Sequence, residues 1–333
     1  MKEYNQIHRV KGKRFLFKVE KSAQASDYKK YERLRYEIWG EPTDTLPGER
    51  NMVCENIFHE GSALFIAVYV EDEKGKFRED ESHFIGFSYG FVGVEDKEIA
   101  FRNRENLLFY SQYTGVRPEF RSYGLGIRIK EFQKKCLMEI FGIHRITCTY
   151  DPLTGINAYR NIHHFGMDVV EYREACYGIF GGYLNREDVP CDRFFLLWDV
   201  RKEIKRPAYD LENLLASGHV ALESEIVEVK GRNGCVALEV VRKVNLDLDP
   251  EFLLVEIPYD YYRMLHETDV PQKKVRSIPL DWRLKSREVF QTLFRRGYRI
   301  IDFRVTGRND RKRDFYILQK EKNLSFRASK HVK

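Results

Sequence analysis

Apolar residues recur along this chain in two rhythms, one of period 2 and one near 3.6, and each change of rhythm marks an element. Residues 14–21 (RFLFKVEK) alternate in part and predict a first strand. Tyr31, Leu34, Arg35 and Ile38 then fall at helical spacing, predicting a helix over residues 28–39 with Ser26 or Asp27 as its N-cap. Pro42, Pro47 and Gly48 predict a loop. Two apolar runs, Ala63–Val70 and residues 83–94, flank a charged turn and predict an antiparallel hairpin.

Leu107–Val116 predicts the next strand. By simple alternation, Tyr110 and Gln112 would share one face of it, Ser111 and Tyr113 the other. From Gly124 onward Leu125, Ile129, Phe132, Cys136 and Ile140 form one apolar stripe, with Arg128, Glu131, Lys135 and Glu139 between them. That is an amphipathic helix, stopped by Gly142. A strand over residues 144–150, a helix over 156–165 stopped by Gly166, and strands over 167–172 and 193–200 complete an order of β-α-β-β-β-α-β-α-β-β.

The pattern changes after Lys205-Arg206-Pro207. A short helix (Leu211–Ala216) precedes strands over 225–230 and 236–244, joined at Arg-Asn-Gly as a hairpin. A strand over 253–257, helices over 259–266 and 282–295, and a final strand pair ending near 316–319 make a second α+β unit. Residues 321–333 read as a tail. The fold class is therefore α+β with a mixed sheet. The expected domains are residues 13–200, a smaller one over 207–320, and the tail.

One stretch carries the chemistry. Residues 116–126 read V-R-P-E-F-R-S-Y-G-L-G at a strand-to-helix turn. Gly124 and Gly126 allow a tight turn and close approach of a ligand. The first helical turn leaves amide N–H groups unpaired, and the helix dipole makes them a site for a pyrophosphate or similar anion. Arg121 adds a cation at the rim.

This string, R-S-Y-G-L-G after Val116 and Pro118, resembles the Arg/Gln-x-x-Gly-x-Gly/Ala signature of the GCN5-related N-acetyltransferases (GNAT superfamily). N-A-Y-R-N-I-H-H-F-G resembles that family's final helix. The resemblance covers roughly residues 13–200 and implies the GNAT acyl-CoA N-acyltransferase fold. It implies acetyl-CoA or another acyl-CoA as co-substrate, with no metal. Main-chain groups of Thr114 to Val116 would pair with the pantetheine arm, and the amides of Arg121, Ser122, Tyr123, Gly124, Leu125 and Gly126 would hold the pyrophosphate. Asn157 and Asn161 would be polar contacts to the same arm.

Transfer to an amine needs a base, an oxyanion donor and an acid. The family often places a Tyr four residues before the final glycine, and here that slot is Ile162. His163, His164 and Tyr159 stand beside it, and a histidine titrates near neutrality. Gln112 stands where a resembled subgroup commonly has His, so with Tyr110 it would orient the amine rather than deprotonate it. The candidate catalytic residues are Gln112, Tyr110, His163 and Tyr159. E-I-P, W-R-L-K-S-R-E-V-F and G-Y-R-I-I-D-F resemble the C-terminal extension of that subgroup of predicted acetyltransferases, and the extension is expected to shape the acceptor pocket.

Composition adjusts this picture little. The chain is 43% hydrophobic and 14% aromatic, enough for a sizeable core. No apolar run approaches membrane-spanning length, and the start lacks the apolar segment of a secretory signal. Six cysteines without C-x-x-C spacing suit reduced thiols in the cytoplasm. Residues 201–333 hold 28 Lys and Arg against 20 Asp and Glu, while the remainder holds 29 against 31. Nucleic-acid association through the basic half is therefore one alternative, and a non-catalytic acyl-CoA-binding regulatory protein is another. The expected partners are a small-molecule or protein amine, no membrane, and a second copy of the chain as a homodimer. Arg283 and Arg287, four apart on a helix, would share a face suited to an anionic group or to surface ion pairs.

Overall fold

The computed structural model describes residues 4–22, 24–40, 62–178, 181–307 and 312–321. The loop expected at Pro42, Pro47 and Gly48, Cys54, and residues 322–333 of the expected tail lie outside the described residues. The chain divides into two compact units. One comprises residues 1–149, 180–187 and 196–203, the other 150–179, 188–195 and 204–333.

In the first unit, strands β1 (Asn5–Val10), β2 (Lys13–Val19), β3 (Ala63–Val70), β4 (Phe84–Val94), β5 (Leu107–Val116) and β6 (Arg145–Tyr150) lie side by side in that order. Each neighbour pair is antiparallel except β5 with β6, which is parallel. The sheet is thus mixed. The periodicity missed β1, whose residues alternate only between exposed and half-buried and so carry a weak apolar signal. Its hairpin to β2 turns at Lys11 and Gly12, both at positive φ (47° and 79°), the signature of a tight two-residue hairpin.

Helix α1 (Lys29–Trp39) covers one sheet face. Tyr31, Leu34 and Ile38 pack there with Phe65, Phe84, Phe87 and Tyr89 in a largely aromatic core. The expected N-cap is corrected. A 3₁₀ turn over Ala25–Tyr28 leads into the helix, no side chain caps it, and the Asp27 carboxylate instead accepts from the Ser22 hydroxyl at 2.5 Å. Helix α2 (Leu125–Cys136) covers the opposite face, burying Leu125, Ile129, Phe132 and Cys136 as the stripe predicts. It widens into a π-helical turn over Leu137–Phe141 before Gly142 at φ 61°.

In the second unit a single helical turn α3 (Gly155–Ala158) runs on as π-helix over Tyr159–His164, where a continuous α-helix was expected. Strand β7 (Asp168–Arg173) follows, and β8 (Arg193–Asp199) begins here and ends in the first unit. A five-stranded sheet is built from β9 (Val220–Gly231), β10 (Gly234–Val244), β11 (Phe252–Ile257), β12 (Tyr298–Thr306) and β13 (Arg313–Lys320) in the order β10-β9-β11-β13-β12. Helices α4 (Leu211–Ala216), α5 (Tyr261–Glu267), α6 (Lys273–Arg276) and α7 (Ile278–Arg295) accompany it. Trp282 on α7 is fully buried, and its indole N–H donates to the Glu239 carbonyl at 2.8 Å. This satisfies the one polar group that burying a tryptophan would strand.

Arg283 and Arg287 do not form an anion-binding face. Arg283 is 1% exposed and ion-paired to Asp151, while Arg287 forks onto Asp192 at 2.8 Å and reaches Glu174 at 3.0 Å. Among the described residues, no helix is long and apolar enough to cross a membrane, and no group of three potential metal ligands occurs.

Candidate functional site

The first feature of the site is an irregularity in β5. Tyr89 stands opposite Tyr113 on β4, and the next residue, Gly90, stands opposite Ser111, so Gln112 is an extra residue, a β-bulge. The bulge resets the alternation. Tyr113 and Tyr110 both lie on the α1 face, paired with Tyr89 and Phe91, while Thr114 and Ser111 both lie on the α2 face. The expected division of Tyr110 and Gln112 from Ser111 and Tyr113 is thereby corrected. Gly90 permits the bulge, since a Cβ there would lie 2.1 Å from the Tyr110 carbonyl oxygen.

The second feature is a parting of strands. The pairing of β5 with β6 covers only Phe109 with Ile146 and Tyr110 with Thr147. From Ser111 to Val116, the recorded ladder partners of β5 are all on β4. One edge of the backbone after the bulge therefore offers donors and acceptors to an extended ligand in the manner of an added strand. Side chains there are turned to other work. Thr114 Oγ1 lies 3.0 Å from Ser88 Oγ, which accepts from the buried Gln133 amide at 2.9 Å and donates to the Tyr113 carbonyl at 3.0 Å. Lys130, 3% exposed, donates to Ser111 Oγ at 3.0 Å. Thus α2 braces the bulge from behind with a buried polar network.

The third feature is the turn after β5. A 3₁₀ segment over Pro118–Tyr123 ends at Gly124, which is left-handed (φ 66°, ψ 21°) and opens α2. Nothing lies within 4 Å of the place a Gly124 Cβ would occupy. In the first turn of α2 the Ile127 and Arg128 N–H groups donate to the Gly124 carbonyl at 3.2 and 3.5 Å, which leaves those of Leu125 and Gly126 as the helix-start donors. Leu125 is buried and fixes the helix to the sheet, the Tyr123 ring sits 5.3 Å from Phe15, and Arg121 and Ser122 are exposed. This is an open, main-chain cradle of anion-binding character. A cation that the motif did not reveal stands beside it: Lys11, on the β1–β2 turn, donates to the Ser122 carbonyl at 2.9 Å. Its separation from Ser122 by 111 positions left no local signal.

The cradle and the parted strand together fit the acyl-CoA that the motif implies. The Gly124 Cβ direction is open space, and the Gln112 amide oxygen is buried without a hydrogen-bond partner among the described residues.

The remaining candidates belong to the second unit. His163 Nδ1 lies 2.8 Å from Asp302 Oδ1, and Asp302 is fully buried. Tyr209 donates to its other oxygen at 2.5 Å, with Arg206 at 3.1 Å and Arg304 at 3.2 Å. Burial pushes the Asp302 carboxyl up, but donation from Tyr209 and His163 outweighs it and holds the carboxyl below the usual carboxylate range. An anionic Asp302 makes Nδ1 the protonated nitrogen and leaves the Nε2 lone pair as an acceptor. The Tyr159 ring, 43% exposed, lies 4.8 Å from the His163 ring. The π-helical segment puts Asn161 and Ile162 inward, each 2% exposed, while His164 is exposed. Asn157 is engaged locally, donating to Thr154 Oγ1 at 3.0 Å and accepting from Arg160 at 2.6 Å. Asp302, 139 positions from His163, was not among the residues the sequence singled out.

No family model matches this chain, and no curated protein matches it. Solved structures do. One is similar over 55% of this chain and 97% of its own: Arabidopsis thaliana NAA60 with a bisubstrate analogue, at 12% identity and a TM-score of 0.39. Another is the ribosomal-protein-S5-alanine acetyltransferase of Vibrio fischeri, at 14% identity and a TM-score of 0.39 over 58% of this chain and 95% of the other. A third is Mycobacterium smegmatis RimJ with CoA-disulfide, at 14% identity and a TM-score of 0.40 over 64% and 94%.

Proposed function

We propose that this chain is an acyl-CoA-dependent N-acyltransferase, with acetyl-CoA as donor and an amine, on a small molecule or a protein, as acceptor. The parting of β5 from β6 beyond Tyr110 carries the reading, because it exposes backbone after a bulge just upstream of the Gly124 cradle. Main-chain groups of Thr114 and Val116 would hold the extended arm of the donor, and the amides over 121–126 its pyrophosphate. Residues 13–200 bear the transferase signature in this proposal, and 207–320 are its extension.

The donor supplies a thioester carbonyl as electrophile. The chain must take a proton from the ammonium form of the acceptor. His163, held by Asp302 with Nε2 as acceptor, is the residue proposed for that step. Tyr159 is proposed to return a proton to the leaving thiolate, and Gln112 and Tyr110 to orient the amine. Titration calorimetry with acetyl-CoA tests the premise, and absence of both heat and a thermal shift sinks it.

A second reading is a non-catalytic acyl-CoA-binding protein. The burial of Ile162, in the slot where the resembled family often has a tyrosine, favours it. Free-thiol release with a panel of amines separates the two.

A further inference from the structure

We infer that the acceptor carries an aromatic or comparably apolar body beside its amine, and that Tyr110, Tyr113, Phe91 and Trp39 form the wall it packs on. The inference rests on the acyltransferase reading and names its substrate class. It follows from which side of the bulge keeps half-exposed side chains among the described residues of the first unit. On the α2 face, Lys130 and Gln133 are buried against Ser111 and Ser88, and Ile129 Cδ1 stands 3.6 Å from where a Gly86 Cβ would be. No acceptor reaches the bulge through that packing. On the α1 face, the helix ends at Trp39, and the strand beyond it presents side chains that are only half-buried.

Those side chains are nearly all rings. Trp39 meets Tyr113 edge-on at 5.4 Å, Tyr113 stacks on Tyr89 at 5.3 Å, and Phe91 meets Tyr110 at 5.8 Å. Tyr89 is 6% exposed and anchors the wall to the core, while Trp39, Phe91, Tyr110 and Tyr113 remain half-buried. Half-exposed rings in a row beside a bulge offer stacking area and the electron-rich faces that attract an ammonium. The bulge creates the row, because it brings Tyr110 and Tyr113 to one face. A polycation would need carboxylates to spare, and among the described residues near the end of α1 the acidic ones are engaged: Glu37 pairs with Arg117 at 3.3 Å and Glu32 with Arg35.

The test uses the full chain saturated with CoA and measures affinity for 2-phenylethylamine, n-hexylamine and spermidine by calorimetry. We expect 2-phenylethylamine to bind about tenfold more tightly than spermidine, the value of one good aromatic contact. Equal or tighter binding of spermidine overturns the inference and leaves the acyl-CoA reading standing. Failure of CoA itself to bind overturns both. Tyr113→Ser should bring the ratio to about threefold or less while acetyl-CoA affinity is retained. Tyr110→Ser serves if the first variant does not fold. An undiminished ratio in the folded variants places the acceptor elsewhere.

Discussion

Gly90 and Tyr110 approach so closely that a methyl group on Gly90 would lie 2.1 Å from the Tyr110 carbonyl oxygen. The bulge at Gln112 depends on that closeness. Gly90→Ala should lower stability by about 1–3 kcal/mol in urea unfolding, the ordinary range for overpacking. It should also weaken acetyl-CoA binding, because the backbone after the bulge is displaced. Wild-type values in both measurements would show that the bulge tolerates a side chain.

Gly124 has open space beyond its Cα and a left-handed backbone. Gly124→Asp should abolish acetyl-CoA binding by placing a carboxylate in the anion cradle. Gly124→Asn tolerates the left-handed region and carries no charge, so its loss should be smaller. Equal losses in the two variants would assign the effect to backbone geometry rather than charge.

His163 and Asp302 make separable predictions. His163→Gln should lower kcat by about 100-fold or more with acetyl-CoA affinity unchanged, the scale expected for loss of a general base. Asp302→Asn leaves Arg206 and Arg304 facing a neutral amide, so it should lower stability as well as kcat. A His163→Gln enzyme with full kcat would remove His163 from the mechanism.

Asp314 on β13 is 2% exposed, and burial pushes its carboxyl up to about 7, with Glu239 and Glu256 adding to the shift. Its Oδ1 has no hydrogen-bond partner among the described residues. The folded value lies above the unfolded one, so folding takes up a proton between about pH 4 and 7. This stability is fully present below pH 4 and is lost as pH rises through 7. Asp314→Asn should therefore gain on the wild type by about 2–4 kcal/mol between pH 5 and pH 8, read by denaturant unfolding at each pH. A pH-independent difference between the two proteins would contradict the assignment.

Several of the described cations of residues 201–333 are committed to ion pairs. Arg206 and Arg304 serve Asp302, Arg313 serves Glu256, Arg296 and Lys320 serve Asp249, and Arg276 serves Asp188 and Asp269. We expect no gel shift with duplex DNA or RNA at about 150 mM salt, where only several phosphate contacts hold a complex together. A shift that weakens steeply with added salt would restore nucleic-acid association.

Much of the fold was legible because its elements are local. The stripe Leu125, Ile129, Phe132 and Cys136 gave α2, and the string ending at Gly124 and Gly126 gave the turn that opens it. What escaped was set by partners distant in the chain. The bulge appears only once Gly90 is paired with Ser111, and alternation along β5 alone misassigned the faces of Tyr110 and Tyr113. Arg283 has helical spacing to Arg287, yet its burial depends on Asp151, more than a hundred positions away. Lys11 and Asp302 were invisible for the same reason.

The extra residue in β5 also has a bearing on length variation. Substituting Gln112 would alter one side chain, whereas deleting it would restore strict alternation through the strand. Tyr110, Ser111 and Tyr113 would each keep the face they now hold, but the bend and unpaired residue of the bulge would be gone. A single-codon deletion here thus leaves the side chains on their faces and removes only the bend that the strand makes beside Gly90, so relatives that keep this chemistry should vary freely in sequence at position 112 and not at all in count.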